Sequence, residues 1–268
     1  MNGTKSFALL SFAGGHATST PTWAPKWDRP AIYARHETQF DDYLSDLVEF
    51  PGQEMFAFSL SESSKILHAS GVFVGEIIKA YEIPPLETSQ DGTYRYLRNA
   101  SILQEFEERL GQDSAFDGYR ELSFDGKSTV ITHVFEGHRF SWTWSSDVER
   151  YDALLERSSP ASESPEAKSY YATALTLVTK GDSSIFATAS GSIGRTFVGP
   201  NGDGAKTGDR IALFPGCAWP IHLRPLDNNY RVLGPCYLHG FMSIEAHMQI
   251  VAQACAENEK ELNMIPLV

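Results

Sequence analysis

The most constraining feature of this 268-residue sequence is a series of short segments rich in branched and aromatic residues. They lie at residues 185–189, 209–214, 221–224 and 230–233, and glycine, proline or asparagine residues separate them. Short strands with turn residues at close intervals are typical of a small antiparallel β-barrel. We therefore predict an α+β fold in which helices at residues 95–110 and 165–178 pack outside such a barrel.

Other segments extend this prediction along the chain. The proline-punctuated run "TPTWAPKWDRP" at residues 20–30 favours an extended strap that packs on the core through Trp23 and Trp27. Residues 66–78 are interpreted as a strand, or as a strand pair with a glycine bend. Residues 128–144 predict two strands about a Glu136–Gly137 turn, and residues 243 to about 263 predict a helix that closes the chain.

The stretch "GCAWPIHLRP" at residues 216–225 predicts one strand that proline residues frame at both ends. Alternation along a strand places Ile221 and Leu223 on one face and His222 and Arg224 on the other. We expect Pro225 to end the strand pairing because it has no N–H group. Arg224 is expected to bind a buried carboxylate or carbonyl groups at a strand end.

Composition excludes several classes of partner. The chain has 34 acidic and 22 basic residues, a net charge of −12, so we expect no nucleic-acid partner and no binding to anionic lipid. No apolar run is long enough to insert into a membrane. The three cysteines lack CxxC spacing and suggest neither a disulfide framework nor a zinc site. The apolar stretch at residues 7–13 is short for a signal peptide, so we predict a cytoplasmic protein, with secretion as the alternative.

The sequence carries no catalytic triad, phosphate-binding loop, dinucleotide fingerprint or metal-binding motif. His133 and His138 flank the predicted hairpin turn, but no carboxylate or cysteine ligand lies near them in sequence. We therefore predict a protein that needs no cofactor and no metal.

Residues 191–246 resemble the region that follows the effector domain in fungal heterokaryon-incompatibility proteins. The matching elements, in order, are Gly199-Pro200, Gly208-Asp209, Gly216, Pro220, "LRP" at residues 223–225, Gly234, "YLHG" at residues 237–240, Met242 and Glu245-Ala246. The strap and the run "LHASGVFVGEI" extend the resemblance to about residues 20 to 250. It implies a single barrel domain over residues 20–268, preceded by an N-terminal extension at residues 1–19.

The chain departs from that family in ways that bear on function. Family members usually have an apolar residue where this chain has His222, and Asp-Gly where it has Ser243-Ile244. The resemblance does not include the effector domain to which cell death is assigned, so we do not expect an inherited incompatibility function. Stand-alone relatives of this barrel in fungal natural-product pathways act as pericyclases. The resemblance thus implies a cofactor-free pericyclase that acts on a hydrophobic small molecule, or alternatively a non-catalytic recognition module.

Candidate site residues follow from these two hypotheses. Phe140, Trp142 and Trp144 alternate along one predicted strand, so they share a face that is either barrel core or the wall of a substrate pocket. His133 and Tyr237 complete the predicted substrate-binding set, although Tyr237 and His239 could instead form a buried hydrogen-bonded corner. His222 is the predicted catalytic residue, which would donate a hydrogen bond to a substrate carbonyl.

Overall fold

The computed structural model of the protein describes residues 21–23, 57–63, 65–84, 105–106, 109–117, 184–196, 204–215, 217, 219–241, 249–254 and 262–268. These residues form the strands β1 Phe58–Leu60, β2 Leu67–Glu82, β3 Ser184–Thr188, β4 Ile193–Thr196, β5 Arg210–Leu213, β6 Ile221–Leu226, β7 Asn229–Leu238 and β8 Asn263–Leu267. Residues 105–106, 109–112 and 249–254 are helical, and Ser114–Phe116 is a 3-10 helix. Within these ranges no helix is long and apolar enough to cross a membrane.

Among the described residues, strand pairing is antiparallel apart from a single parallel pair between β7 and β8. The long strand β2 pairs with β1 and β8 through its first half, with β5 near its middle and with β3 in its second half. From β5 the pairing continues through β6 to β7, and β7 also pairs with β4 and β8. Because β4 pairs with β3, the strands form a ring that returns to β2. The predicted antiparallel, β-rich architecture is confirmed at this level.

Two apolar clusters lie on opposite faces of β5 and β6. The first core cluster consists of Leu67, Ala69, Ala212, Phe214, Cys217, Ile221, Leu223, Val232, Ile265 and Leu267. The second core cluster consists of Ile77, Phe186, Ile211, Cys236 and Leu238. Consecutive β5 residues, Ile211 and Ala212, belong to different clusters. The β5–β6 pair is therefore buried on both faces, so a polar residue on either face needs a partner within the protein.

The interpretation of residues 66–78 as a strand is confirmed, and the chain does not reverse at its glycines. β2 continues for 16 residues with a register shift against β5 between Phe73 and Gly75. A Cβ at Gly75 would lie 2.8 Å from Cγ2 of Thr188, so this glycine lets β3 approach β2 closely. The shift is a β-bulge, which bends a long strand and lets one strand serve two sheets.

The strand at residues 221–226 has the predicted facing, but its predicted end is wrong. Ile221 and Leu223 belong to the first core cluster, whereas His222 and Arg224 lie on the other face. Pro225 pairs with Tyr230 and the strand continues to Leu226. In a hairpin with a two-residue turn, the second pair from the turn exchanges no hydrogen bonds. The missing N–H of Pro225 therefore costs no bond between β6 and β7.

Two other boundaries differ from prediction. The helix expected over residues 243–263 is present at 249–254, but the chain closes with strand β8, whose alternating burial matches a half-buried strand. The helix expected over residues 95–110 is helical at its described positions and extends past Gly111 to residue 112. The predicted hairpin at residues 128–144 and the helix at residues 165–178 lie outside the described residues.

The predicted packing of the strap on the core is confirmed at Trp23, although residues 22–23 form a turn rather than extended chain. Trp23 packs against the first core cluster, and its indole N–H donates to the carbonyl of Lys65 over 3.2 Å. The hydroxyl of Thr22 binds the carbonyl of Val268 and accepts a hydrogen bond from the N–H of Val232 over 2.9 Å. The strap thus ties β7 to the residue that follows β8. Trp27 lies outside the described residues.

Candidate functional site

A buried polar network occupies the face of β5 and β6 that carries the second core cluster. His222 is directly opposite Ile211 in the register of these two strands, and Arg224 follows His222 on the same face. Asp209 immediately precedes β5, two residues before Ile211, so it points to that face as well. A turn leads into Asp209, whose backbone N–H donates to the carbonyl of Lys206 over 3.0 Å, and Gly208 in this turn has a φ of 91° that favours glycine.

Asp209 is the centre of the network. Its Oδ1 accepts a hydrogen bond from Nε of Arg224 over 2.9 Å, and its Oδ2 accepts one from Nη2 of Arg224 over 2.8 Å. Oδ2 also accepts from Nε2 of His222 over 2.7 Å and from the backbone N–H of Lys206 over 2.9 Å. Nη2 of Arg224 donates in addition to the carbonyl of Gly204 over 2.7 Å. Of the two partners expected for Arg224, a buried carboxylate or strand-end carbonyl groups, the first is confirmed.

The charge of Asp209 is stabilised by these donors. Burial alone would raise the pKa of Asp209, but the hydrogen bonds from Arg224 and His222 outweigh it and lower the pKa to about 2. An ionised carboxylate only accepts hydrogen bonds, so Nε2 of His222 is protonated and is the donor of the hydrogen bond to Asp209. A bidentate contact with arginine is among the strongest hydrogen-bonded pairs available to a carboxylate.

This network fixes the loop at residues 204–209 against the middle of β2. The N–H of Gly208 donates to the carbonyl of Ile77, and the N–H of Ile77 donates to the carbonyl of Asp209, both over 2.8 Å. The predicted catalytic residue, His222, has a side chain that is 1% exposed and bonded to Asp209. A substrate carbonyl would therefore compete with Asp209 for the same N–H. The geometry is that of a scaffold that joins β2, β5 and β6.

Tyr237 and His239 form the hydrogen-bonded corner that was the structural alternative for these residues. The Tyr237 hydroxyl lies 3.1 Å from Nδ1 of His239, and Tyr237 is 6% exposed. Burial raises the pKa of Tyr237 to about 12 and lowers the pKa of His239. Tyr237 pairs across strands with Arg195, whose pKa burial lowers to about 9. At neutral pH this face therefore carries a neutral tyrosine beside a charged arginine.

A third group lies on the opposite face, at the margin of the first core cluster. Phe73 and Tyr230 stack in a tilted pair with ring centroids 5.1 Å apart, and both are partly buried against the cluster together with Trp23 and Trp219. Arg210 places its Cζ 5.9 Å from the centroid of the Phe73 ring. We name Phe73, Glu76, Arg210 and Tyr230 the aromatic rim.

The remaining predicted site residues, His133, Phe140, Trp142 and Trp144, lie outside the described residues. Sequence reasoning identified neither Asp209 as a network centre nor the aromatic rim. The signal for Asp209 was available, since it follows a turn glycine and Arg224 calls for a buried carboxylate. The rim has no such signal because Phe73, Arg210 and Tyr230 are far apart in sequence and meet only through strand pairing.

Comparisons of the chain with protein-family models, with curated proteins and with solved structures find no match. What the chain does is therefore inferred from its own residues.

Together the three groups differ in what they can do chemically. The Asp209 network uses its hydrogen-bonding groups internally, and the Tyr237–His239 pair is largely covered. The aromatic rim combines an aromatic surface with a guanidinium group whose side chain is 40% exposed. It therefore offers a ligand both stacking and hydrogen-bond donation.

Proposed function

We propose that this chain is a cofactor-independent pericyclase. It would close a ring by intramolecular Diels–Alder reaction of a hydrophobic intermediate in fungal secondary-metabolite biosynthesis. The proposal includes a finer architecture, a closed antiparallel barrel with helices packed outside. Its support is the path of strand pairings that runs from β2 through β5, β6, β7 and β8 back to β2, because the strand residues of the first core cluster come from these five strands. Ligand sites often lie in the mouths of such barrels.

One observation carries this proposal: partly buried aromatic side chains line the margin of an apolar cluster that the paired strands surround. These are Trp23, Phe73, Trp219 and Tyr230. A cycloaddition transfers no proton, so its catalyst must mainly hold diene and dienophile in a reactive geometry against a shaped apolar surface. A hydrogen bond to the dienophile carbonyl adds about 1.5–3 kcal/mol, which is roughly ten- to a hundred-fold in rate.

Incubation with linear model substrates tests the proposal. A panel of chains that carry a diene and a conjugated enone dienophile, each with slow spontaneous cyclisation, is followed by chiral chromatography. We expect faster ring closure with an excess of one stereoisomer, at a rate nearly flat from about pH 6 to 9 and insensitive to chelators. Heat-denatured protein is the control. Background rates with the spontaneous product ratio across the panel, or a requirement for a divalent ion, would contradict the proposal.

A recognition module related to heterokaryon incompatibility is the second candidate, and β1 favours it. Among the described residues β1 pairs with β2 alone, and its Phe58 and Leu60 are 55% and 50% exposed. They stand opposite Ala69 and Leu67 of the first core cluster, so they continue an apolar face into solvent. Exposed apolar surface at a strand edge is typical of a protein-binding region. Neighbouring genes discriminate, since effector genes favour this candidate and terpene or polyketide enzyme genes favour the pericyclase.

A further inference from the structure

The aromatic rim exists because of the bulge in β2. Phe73 pairs with Ala212 and Glu76 pairs with Arg210, although Phe73 and Glu76 are three positions apart and Ala212 and Arg210 only two. In a regular strand, residues three apart point to opposite faces. The extra residue in the bulge brings both Phe73 and Glu76 to the face of the first core cluster. The guanidinium of Arg210 therefore lies near the Phe73 ring and also contacts the carboxylate of Glu76.

Tyr230 packs against the first core cluster as Phe73 does, but it comes from β7 rather than from β2. It lies on β7 opposite Pro225 and beside Leu267 of β8, two residues before Val232 of the first core cluster. The centroid of its ring lies 5.1 Å from that of Phe73, and both rings pack against that cluster. The two rings form an apolar surface, and Arg210 lies at its border with solvent.

The charge of the rim is balanced. Nη2 of Arg210 lies 2.8 Å from Oε2 of Glu76, and both side chains are about 40% exposed, at 40% and 42%. Arginine has five N–H donors, so the contact with Glu76 leaves donors for a ligand. A carboxylate ligand would have to compete with Glu76, whereas a neutral carbonyl acceptor would not. Aromatic surface and balanced charge thus favour a neutral, planar ligand.

We propose that the aromatic rim binds a neutral, planar, conjugated carbonyl compound. The conjugated system stacks against Phe73 and Tyr230, and the guanidinium of Arg210 donates a hydrogen bond to the carbonyl oxygen. This inference rests on the proposed function in one respect, because Arg210 then supplies the donor that activates a dienophile. Arg210 is then also a specificity residue, because only a ligand with a hydrogen-bond acceptor at one end can accept its hydrogen bond.

Binding of prodan, a planar naphthyl ketone whose emission responds to hydrogen bonding at its carbonyl, tests the site. N-phenyl-1-naphthylamine, which is neutral and has no carbonyl, is the matched probe. We expect Arg210→Gln to weaken prodan about tenfold, to shift the bound emission to shorter wavelength and to leave the second probe unchanged. Phe73→Leu should weaken both probes, because it removes stacking surface.

Matched controls are available in the same chain. Arg109 also lies over an aromatic ring, with its Cζ 4.6 Å from the centroid of Tyr81, and Phe58 is an exposed phenylalanine on β1. Arg109→Gln and Phe58→Leu should therefore leave prodan binding unchanged. Circular dichroism verifies the fold of each variant. If Phe73→Leu fails to fold, Tyr230→Phe takes its place in the test, and it should retain binding because it keeps the aromatic ring.

Equal affinity of wild type and Arg210→Gln for prodan would overturn the proposal, as would equal losses in the control variants. These outcomes differ from failure of the proposed function. Prodan undergoes no ring closure, so the rim can bind it in a protein that catalyses nothing. Conversely, stereoselective ring closure that survives Arg210→Gln would leave the pericyclase in place and remove the rim from it.

Discussion

Asp209 and Arg210 are consecutive residues that meet opposite environments. The Asp209 side chain is 3% exposed and binds Arg224, whereas the Arg210 side chain is 40% exposed and binds Glu76. Both are arginine–carboxylate pairs with contacts of 2.8 Å. Strand alternation at the start of β5 directs one residue to the second core cluster and the other to the aromatic rim.

The difference in exposure between these two arginine–carboxylate pairs gives them different roles. A buried carboxylate is tolerated only when donors satisfy it, and those donors are then unavailable to a ligand. An exposed pair contributes little to stability, because water competes for both partners, but its donors can exchange with a ligand. The Asp209 network is therefore expected to govern folding, and the rim is expected to govern binding.

Removal of the buried carboxylate should have the largest effect. Asp209→Asn keeps the size of the side chain but leaves Arg224 without its counter-charge, so we expect a loss of about 3 kcal/mol in the free energy of unfolding. Urea titration followed by circular dichroism measures it. Prodan binding should be unchanged under conditions where the variant is folded. A loss below about 1 kcal/mol would show that the buried network resembles a surface pair.

A fall in pH should cause the next largest loss in the free energy of unfolding, because it protonates the Asp209 carboxylate. The pKa of Asp209 is about 2 in the folded protein against an ordinary value of 3.8. The stabilisation is therefore complete above about pH 4 and is lost as the pH falls through 2, by about 2 kcal/mol in all. The free energies of unfolding of wild type and Asp209→Asn should converge over this range. A difference that stays constant from pH 5 to pH 2 would contradict the assignment.

His222→Val should have a smaller effect on stability and none on turnover. The substitution removes one of the four hydrogen bonds to the Asp209 carboxylate, a loss of about 1.5 kcal/mol. Thermal unfolding gives the change in stability, and ring closure is assayed well below the transition. A ten-fold or greater loss of turnover in the folded variant would instead make His222 the hydrogen-bond donor.

Local sequence pattern predicted the part of the fold that alternation controls. The facing of residues 221–224 follows from period-two alternation, and the partner of Arg224 follows from the requirement that a largely buried arginine be satisfied. The extension of β6 through Pro225 was not predicted, because it depends on which pairs next to the turn exchange hydrogen bonds. β8 was missed because its strand character depends on β2 and β7 as partners.

The aromatic rim shows why sites are harder to predict than strands. Phe73, Arg210 and Tyr230 come from three strands, and a bulge between Phe73 and Gly75 sets the facing of Phe73 and Glu76. The glycines of this segment indicated a bend, but not which side chains it would bring to one face. His222 was predicted to be catalytic because the family that residues 191–246 resemble usually has an apolar residue at this position. This departure is explained by Asp209, which lies 13 residues away in sequence. A polar residue in a strand therefore needs its cross-strand environment before a role can be assigned.

Glu76→Gln should have the smallest effect on stability and the sharpest effect on ligand preference. Both members of the Arg210–Glu76 pair are about 40% exposed, so the free energy of unfolding should change by less than about 1 kcal/mol. The rim, however, changes from balanced charge to one net positive charge. The carboxylate analogue of prodan, 6-dimethylamino-2-naphthoate, should then gain about fivefold in affinity relative to prodan, and added salt should reduce the gain. Glu62→Gln, a substitution of an exposed acid outside the rim, is the control and should leave the ratio unchanged. An unchanged ratio in Glu76→Gln would mean that Glu76 does not exclude anions and that the neutral ligand class is wrong.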